Sequence, residues 1–367
     1  MQAGNGGARS EVGEREKGDI AARLLRHLQA ALAAPALCYA EVPSRLSGGF
    51  DAVVFAFRLT NAPPDFAGPL ILRIERPGQV VAAVQRDAAV QNALAAQDFP
   101  APRALLVVTP EVLGGVAVVM ERLPGAPIAE RFQSLGRGGV ADRLRLLFAV
   151  PRERRRLIAL WGEAQRRLHE VSVEAMAAAL SRAGISAAEI TVESQLRRMG
   201  ALIHDAGLRG LAPGMRWLGE HHPVDRGPRV ICHGDLQPLN ILAEGGRLTG
   251  VIDWGACTVA DPALDLGVSQ ALLCTVPVGE GPLSPLTRAL LRGIGRAHVR
   301  AYARIRPLDP AAVRYYQAYG CLSQLLWVAL ARAGGRTGRG IFESPEGVRN
   351  LIRHFAALTD VTPSLAV

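Results

Sequence analysis

The stretch from residue 230 to 267, VICHGDLQPLNILAEGGRLTGVIDWGACTVADPALDLG, constrains the fold of this chain more than any other. Val230-Ile231-Cys232 reads as a short apolar strand that ends at His233-Gly234-Asp235, where glycine lets the chain turn. Ile241-Leu242-Ala243 follows Asn240 as a second strand, Glu244-Gly245-Gly246 is a turn signal, and Arg247 to Ile252 returns as a third strand ending at Asp253. In an antiparallel hairpin centred near Gly245, Asn240 lies opposite roughly Val251. Asp253 is then about 7 Å further along, at about 3.3 Å per residue. Such a hairpin delivers an amide oxygen and a carboxylate to one end of a small sheet, with Asp235 in the loop just before it. Three oxygen-bearing side chains gathered there suit Mg²⁺, which favours carboxylates together with substrate phosphates. A carboxylate near the metal but free of it can accept a proton from a hydroxyl.

The run HGDxxxxN, a hairpin, then Asp253-Trp254-Gly255 resembles the aminoglycoside phosphotransferase-like (phosphotransferase enzyme) family, relatives of the protein kinases. The trailing Asp261-Pro262-Ala263-Leu264-Asp265 fits that family too. The resemblance implies an α+β, bilobal protein-kinase-like fold with a small β-rich N-terminal lobe and a larger helical C-terminal lobe. It implies that Asp235 is the catalytic base, that Asn240 and Asp253 hold Mg²⁺ on the phosphates of ATP, and that Asp265 pins the catalytic loop. His233 is grouped with the catalytic loop as a bracing residue, and Trp254 is read as packing.

The segment before this island is strand-rich. Strand-like pieces at 37–42, 53–60, 69–75, 104–108 and 115–120 are interrupted by one helical stretch at about 79–97, and a helix with apolar spacing precedes them at about 19–34. Ser47-Gly48-Gly49 precedes an apolar strand, and by resemblance it is the loop that covers the phosphates, where glycine lets backbone N–H groups approach. In Leu70-Ile71-Leu72-Arg73-Ile74-Glu75 the side chains alternate, with Ile71, Arg73 and Glu75 on one face. By resemblance Arg73 takes the position of a phosphate-gripping lysine. Lys17 is the sole lysine, the other 41 basic residues being arginine, so beyond residue 17 no site can use lysine. Arginine keeps its charge and binds phosphate through two parallel hydrogen bonds. On the following helix Ala83, Asp87, Val90 and Leu94 form one stripe. The family places a glutamate in this role, and Asp87 is expected to pair with the longer Arg73. Met120 to Gly125 resembles the hinge where adenine meets backbone groups, which brings in Met120, Glu121 and Leu123.

These readings divide the chain into a disordered tail at 1–18, a nucleotide-binding lobe at 19–120, a hinge at 121–125 and a helical lobe at 126–367 that carries the catalytic loop and substrate pocket. The five cysteines are odd in number and scattered with no CxxC, which points to buried thiols in a reducing cytoplasm rather than a disulfide frame or a zinc site. No stretch of 18 apolar residues lacks a charge and the first residues carry no secretion pattern, so no membrane partner is expected. The net charge of +9 raises nucleic-acid binding, but the densest cluster, Arg152, Arg154, Arg155 and Arg156, has no interleaved aromatics and reads as a solvated helix face.

The expected activity is transfer of the γ-phosphoryl of Mg-ATP to a hydroxyl of a small molecule. Only seven residues separate Asp253 from Asp261, too few for an activation loop of the kind that protein kinases use. From residue 266 onward there are 12 arginines and five acids, a net +7 of the chain's +9, which favours a neutral or anionic acceptor over a polycation. The alternatives are an antibiotic phosphotransferase acting on an aminoglycoside or macrolide, and a nucleotide-binding pseudokinase suggested by Arg73 and Asp87.

Overall fold

In the computed structural model, the described residues are 6–46, 52–75, 79–130, 140–225, 227–279, 281–282, 284–334 and 340–365, with side chains from 18 and from 151 in the helices that begin at 6 and 140. The expected loop residues Ser47, Gly48 and Gly49 lie outside the described residues. Contacts divide the chain into two compact units, residues 1–95 with 101–123 and residues 96–100 with 124–367.

The first unit begins with α1 (Gly6–Ala31), whose backbone is helical through most of the stretch read as a tail. The charged run 14–17 is built of good helix formers, which outweighs its flanking glycines. Strands β1 (Cys38–Arg45), β2 (Ala52–Thr60), β3 (Leu70–Glu75), β4 (Ala104–Val108) and β5 (Ala117–Glu121) form an antiparallel sheet in the order β1-β2-β3-β5-β4. Helix α2 (Val81–Ala95) and the short α3 (Pro110–Leu113) complete the unit. Period-2 alternation sends side chains to two separate cores. Leu70 and Leu72 pack with Leu24 and Leu28 of α1 and with Phe55 and Phe57. Ile71 packs with Val84 of α2, Val118 and Met120 on the opposite face.

The second unit holds β6 (Ala126–Pro127), α4 (Val140–His169), α5 (Val173–Arg182), α6 (Val192–Asp205), α7 (Ala212–Glu220), β7 (Val230–Cys232), β8 (Ile241–Glu244), β9 (Arg247–Val251), β10 (Thr258–Ala260), α8 (Ala263–Thr275), α9 (Ser284–Ala303), α10 (Pro310–Ala333) and α11 (Pro345–Thr359). Its core forms where α8 and α10 bury Leu264, Val268, Tyr316 and Leu322 against Leu218 of α7 and Phe355 of α11. Residues 96–100 belong here, not to the N-terminal lobe to which the sequence assigned them. The Val251 N–H donates to Pro100 O at 2.8 Å, Gln97 Oε1 accepts the Ser172 N–H at 3.0 Å, and Phe99 meets Trp254 edge-on at 5.6 Å.

Candidate active site

The site grows out of two small sheets in the second unit. Strand β7 pairs antiparallel with β10, and β8 pairs with both β6 and β9. Between β7 and β8 runs the loop His233–Asn240, and β9 ends one residue before Ile252-Asp253. The expected register is off by one. Ile241, not Asn240, stands opposite Val251, and the Ile252 N–H donates to Asn240 O at 2.9 Å. The cause is a bulge between Leu242 and Ala243, where Thr249 is the extra residue on β9. That residue is used: Thr249 Oγ1 donates to Pro124 O at 2.7 Å.

Asn240 therefore flanks Ile252, and its amide acts on Asp235. Asn240 Nδ2 donates to Asp235 O at 2.9 Å and to Asp235 Oδ2 at 3.1 Å, and Gln237 Nε2 reaches both carboxylate oxygens at 3.1 Å. Gln237 was not singled out from the sequence, although it lies inside the motif. With Nδ2 committed to Asp235, Asn240 keeps its Oδ1 as a hard oxygen donor. Asp253 sits at φ +72°, a conformation that costs a non-glycine residue energy and that gathers at functional sites. The reversal around it is closed by Trp254, whose Nε1 donates to Val251 O at 3.0 Å. Trp254 is buried against Phe99 and His233, as its packing role requires.

His233 is fully buried with both ring nitrogens used. Nδ1 accepts the Asp235 N–H at 3.2 Å, so Nε2 carries the proton and donates to Ile252 O at 3.0 Å. Burial lowers its basicity against the opposing charge of Asp265. The ring is thus a neutral brace that ties the Asp235 amide to the residue preceding Asp253. Both ring nitrogens are engaged, which leaves neither for proton transfer.

Beneath the loop lies Asp265, fully buried in the first turn of α8. Its Oδ2 accepts the His233 N–H at 3.0 Å and its Oδ1 the Gly234 N–H at 2.7 Å. His169 of α4 places Nε2 3.1 Å from Asp265 Oδ2 and Nδ1 2.6 Å from Tyr302 OH. Burial alone would push the Asp265 carboxyl up, but the His169 hydrogen bond and charge outweigh it and hold the acid below its ordinary value. Cys232 lies within 4.8 Å of both groups, but its thiol is pushed well up by burial and points its proton at Asp261 O. The trio is a satisfied hydrogen-bond network. Two further donors fix the loop's centre: Trp161 Nε1 and Ser269 Oγ both donate to Leu236 O, at 2.9 and 2.7 Å. His169, Trp161 and Tyr302 were missed because their partners lie far away in sequence.

The N-terminal candidates are in the first unit. Arg73 lies on β3 opposite Val54 and Val118, with Nε 2.9 Å from Glu75 Oε1. Asp87 Oδ1 lies 2.9 Å from Arg86 Nη2. Glu75, on the same strand face, is an acid beside Arg73. Met120 is a buried strand residue of the core beneath α2. Glu121 binds Arg103 Nε through Oε1 at 2.8 Å, and its N–H donates to Arg103 O. The Arg122 N–H donates to Pro69 O, so Leu123 is the first residue past the sheet's ladder. All five cysteines are free thiols, and no described helix is long and apolar enough to cross a membrane.

Known proteins resemble this chain in sequence or in fold. Homoserine kinase of Methylocella silvestris is 33% identical over 100 residues, 27% of this chain and 28% of that protein. Aminoglycoside 3'-phosphotransferase of Streptomyces fradiae is 29% identical over 162 residues, 41% of this chain and 51% of that protein. The chain thus spans from about a quarter to half the length of these relatives. Among solved structures, a thermostable mutant of aminoglycoside phosphotransferase APH(4)-Ia in complex with ADP and hygromycin B matches with a TM-score of 0.58 at 13% identity, over 92% of this chain and 97% of that one. Plasmodium vivax ethanolamine kinase matches with a TM-score of 0.51 at 10% identity, over 88% and 82%. These likenesses show the bilobal kinase-like fold. The profile of the phosphotransferase enzyme family matches residues 42–308, nearly three quarters of the sequence, and the chain belongs to that family.

Proposed function

We propose that the protein transfers the γ-phosphoryl group of Mg-ATP to a hydroxyl of a small, neutral or anionic molecule. The observation that carries this reading is the Asp235 carboxylate, aimed by the amides of Gln237 and Asn240 beside the strained Asp253. The acceptor hydroxyl's proton passes to Asp235, and the hydroxyl oxygen bonds the γ-phosphorus. The bond to the β,γ-bridging oxygen breaks, its electron pair leaving on ADP. Asn240 Oδ1 and the Asp253 carboxylate are the donors for Mg²⁺, a set of hard oxygens that suits it, and bound there the ion neutralises phosphate charge. His233 and Asp265 hold the loop so that the proton acceptor does not drift. Arg73, kept in place by Glu75, is the cation for the phosphates, and Leu123 offers the backbone at the adenine edge.

Support for a small-molecule acceptor comes from the relatives named as homoserine kinase and aminoglycoside 3'-phosphotransferase. The arginine excess after residue 266 favours the neutral or anionic end of that range. Arg292, Arg296, Arg300 and Arg304 form an exposed ridge on and just past α9, so that excess is displayed to solvent. The second reading, an aminoglycoside phosphotransferase, rests on the Streptomyces relative. The purified protein is tested with Mg-ATP against a panel of hydroxylated amino acids, sugars, macrolides and aminoglycosides, reading ADP release. Acceptor-dependent turnover is expected to fall at least about 10³-fold in Asp235→Ala. Unchanged turnover in that variant would overturn the assignment, and preference for kanamycin-like amines would favour the second reading.

A further inference from the structure

The arginine cluster of α4 lines a groove that the phosphoryl-transfer site does not use. A cavity of about 400 Å³ lies between α4 and the C-terminal end of α9. Its apolar wall is Ile158, Gly162 and Ile305, and its rim carries Arg154, Arg155 and Arg166 with one acid, Glu163. Ile305 is 62% exposed, a large apolar side chain left open to water.

Gly162 sits in the interior of α4, where glycine costs a helix about 1 kcal/mol relative to alanine. No backbone reason requires it, and a Cβ there would meet nothing within 4 Å. The residue keeps open space over an apolar surface. The rim charge is unbalanced as well. Arg166 is taken by Glu170 at 2.7 Å and Glu163 faces Arg167 at 3.9 Å, whereas Arg154 and Arg155 make no ion pair among the described residues. Two exposed, unpaired guanidinium groups beside an apolar trough complement one anionic head on one apolar body. The volume falls in the small-molecule range, and the chain's +9 charge opposes a second copy docking on a basic rim.

We propose that this groove is a second binding site, for a single-chain amphipathic carboxylate, its tail on Ile158, Gly162 and Ile305 and its head between Arg154 and Arg155. The groove is wired to the catalytic loop. Tyr302 lines it, and the Tyr302 hydroxyl meets His169, which meets Asp265, which accepts the N–H groups of His233 and Gly234. Occupancy therefore steadies the loop that carries Asp235. The site stands whether or not the acceptor proposed above is right.

Isothermal titration calorimetry of the full chain with octanoate, 1-octanol and acetate tests it without any activity assay. Saturable binding of octanoate is expected, at least roughly tenfold tighter than 1-octanol, with no binding of acetate. Gly162→Phe fills the trough, and Arg154→Glu with Arg155→Glu reverses the rim at exposed positions where the fold does not depend on them. Both variants are expected to lose octanoate binding. Equal affinity for octanoate and octanol, or wild-type octanoate binding in the double-glutamate variant, would overturn the site. In hydrogen exchange, octanoate is expected to slow the amides of His233 and Gly234 in wild type and not in Tyr302→Phe. Equal slowing in both would overturn the route through Tyr302.

Discussion

His298 is 1% exposed, stacked on Trp161 at a centroid distance of 3.9 Å with ring planes 12° apart, and its Nε2 meets Gln165 Oε1 at 2.6 Å. Burial lowers its pKa to about 3. His233 is shifted in the same direction for the same first reason. In the unfolded chain the His298 ring takes up a proton near pH 6.5, whereas in the fold it stays neutral down to about pH 3, so acid favours unfolding from pH 6.5 downward, at about 1.4 kcal/mol per pH unit for this ring, and His233 adds to the loss in the same direction. Between pH 7 and 5 the wild type is expected to lose stability, and in His298→Gln that loss is expected to be smaller by roughly 2 kcal/mol, read by urea denaturation at both pH values. Equal losses would show that His298 is not held neutral by the fold. These residues mark the limit of what the sequence displays. Asp235, Asn240 and Asp253 were legible because they sit within 19 positions, on one hairpin and its leading loop. His169, Trp161 and Tyr302 act on the same loop from other helices, and only the packing of α4 and α9 brings them there.

Elements were legible where local chemistry decides them. The strands of the first unit fall within a few residues of their expected limits, because period-2 alternation and Gly/Pro punctuation are local signals. The hairpin register was not, since a bulge depends on what the extra residue touches, here Thr249 on the Pro124 carbonyl. Segment 96–100 was misassigned for a similar reason: its bonds run to Val251 and Ser172. Two glycines make the contrast measurable. Gly125 precedes β6 at φ +92°, and a Cβ there would stand 2.7 Å from both Ala243 O and Thr249 Oγ1. Gly125→Ala is expected to destabilise by more than about 1 kcal/mol, from left-handed strain and a clash with backbone that cannot yield. Gly162→Ala, in open space on α4, is expected to stabilise by about 0.5–1 kcal/mol. Thermal melts of the two variants should move in opposite directions; a stabilised Gly125→Ala would mean that β6 does not pack on the bulge.

At the scale of the whole molecule the charge is unevenly divided. The first unit has 12 basic and 11 acidic residues, a net of +1, and the second has 30 and 22, a net of +8. The second unit is also the one that carries Asp235 and its loop, so an incoming acceptor meets a positive field. Much of that field is displayed on exposed side chains such as Arg292, Arg296 and Arg300, where salt screens it over a Debye length of about 10 Å at 0.1 M. If the acceptor is an anion, its capture is helped by this field and weakened when salt is added. If it is neutral, capture is indifferent to salt, and if it is a polycation, added salt relieves repulsion. At saturating Mg-ATP, so that nucleotide binding does not enter, kcat/KM for an anionic hydroxyl acceptor is expected to fall about threefold or more between 20 and 200 mM NaCl, with kcat nearly constant. A rise in kcat/KM with salt for the best acceptor of the panel would place a cation in the pocket. The arginine excess would then serve surfaces other than the acceptor's approach, and the aminoglycoside reading would take precedence.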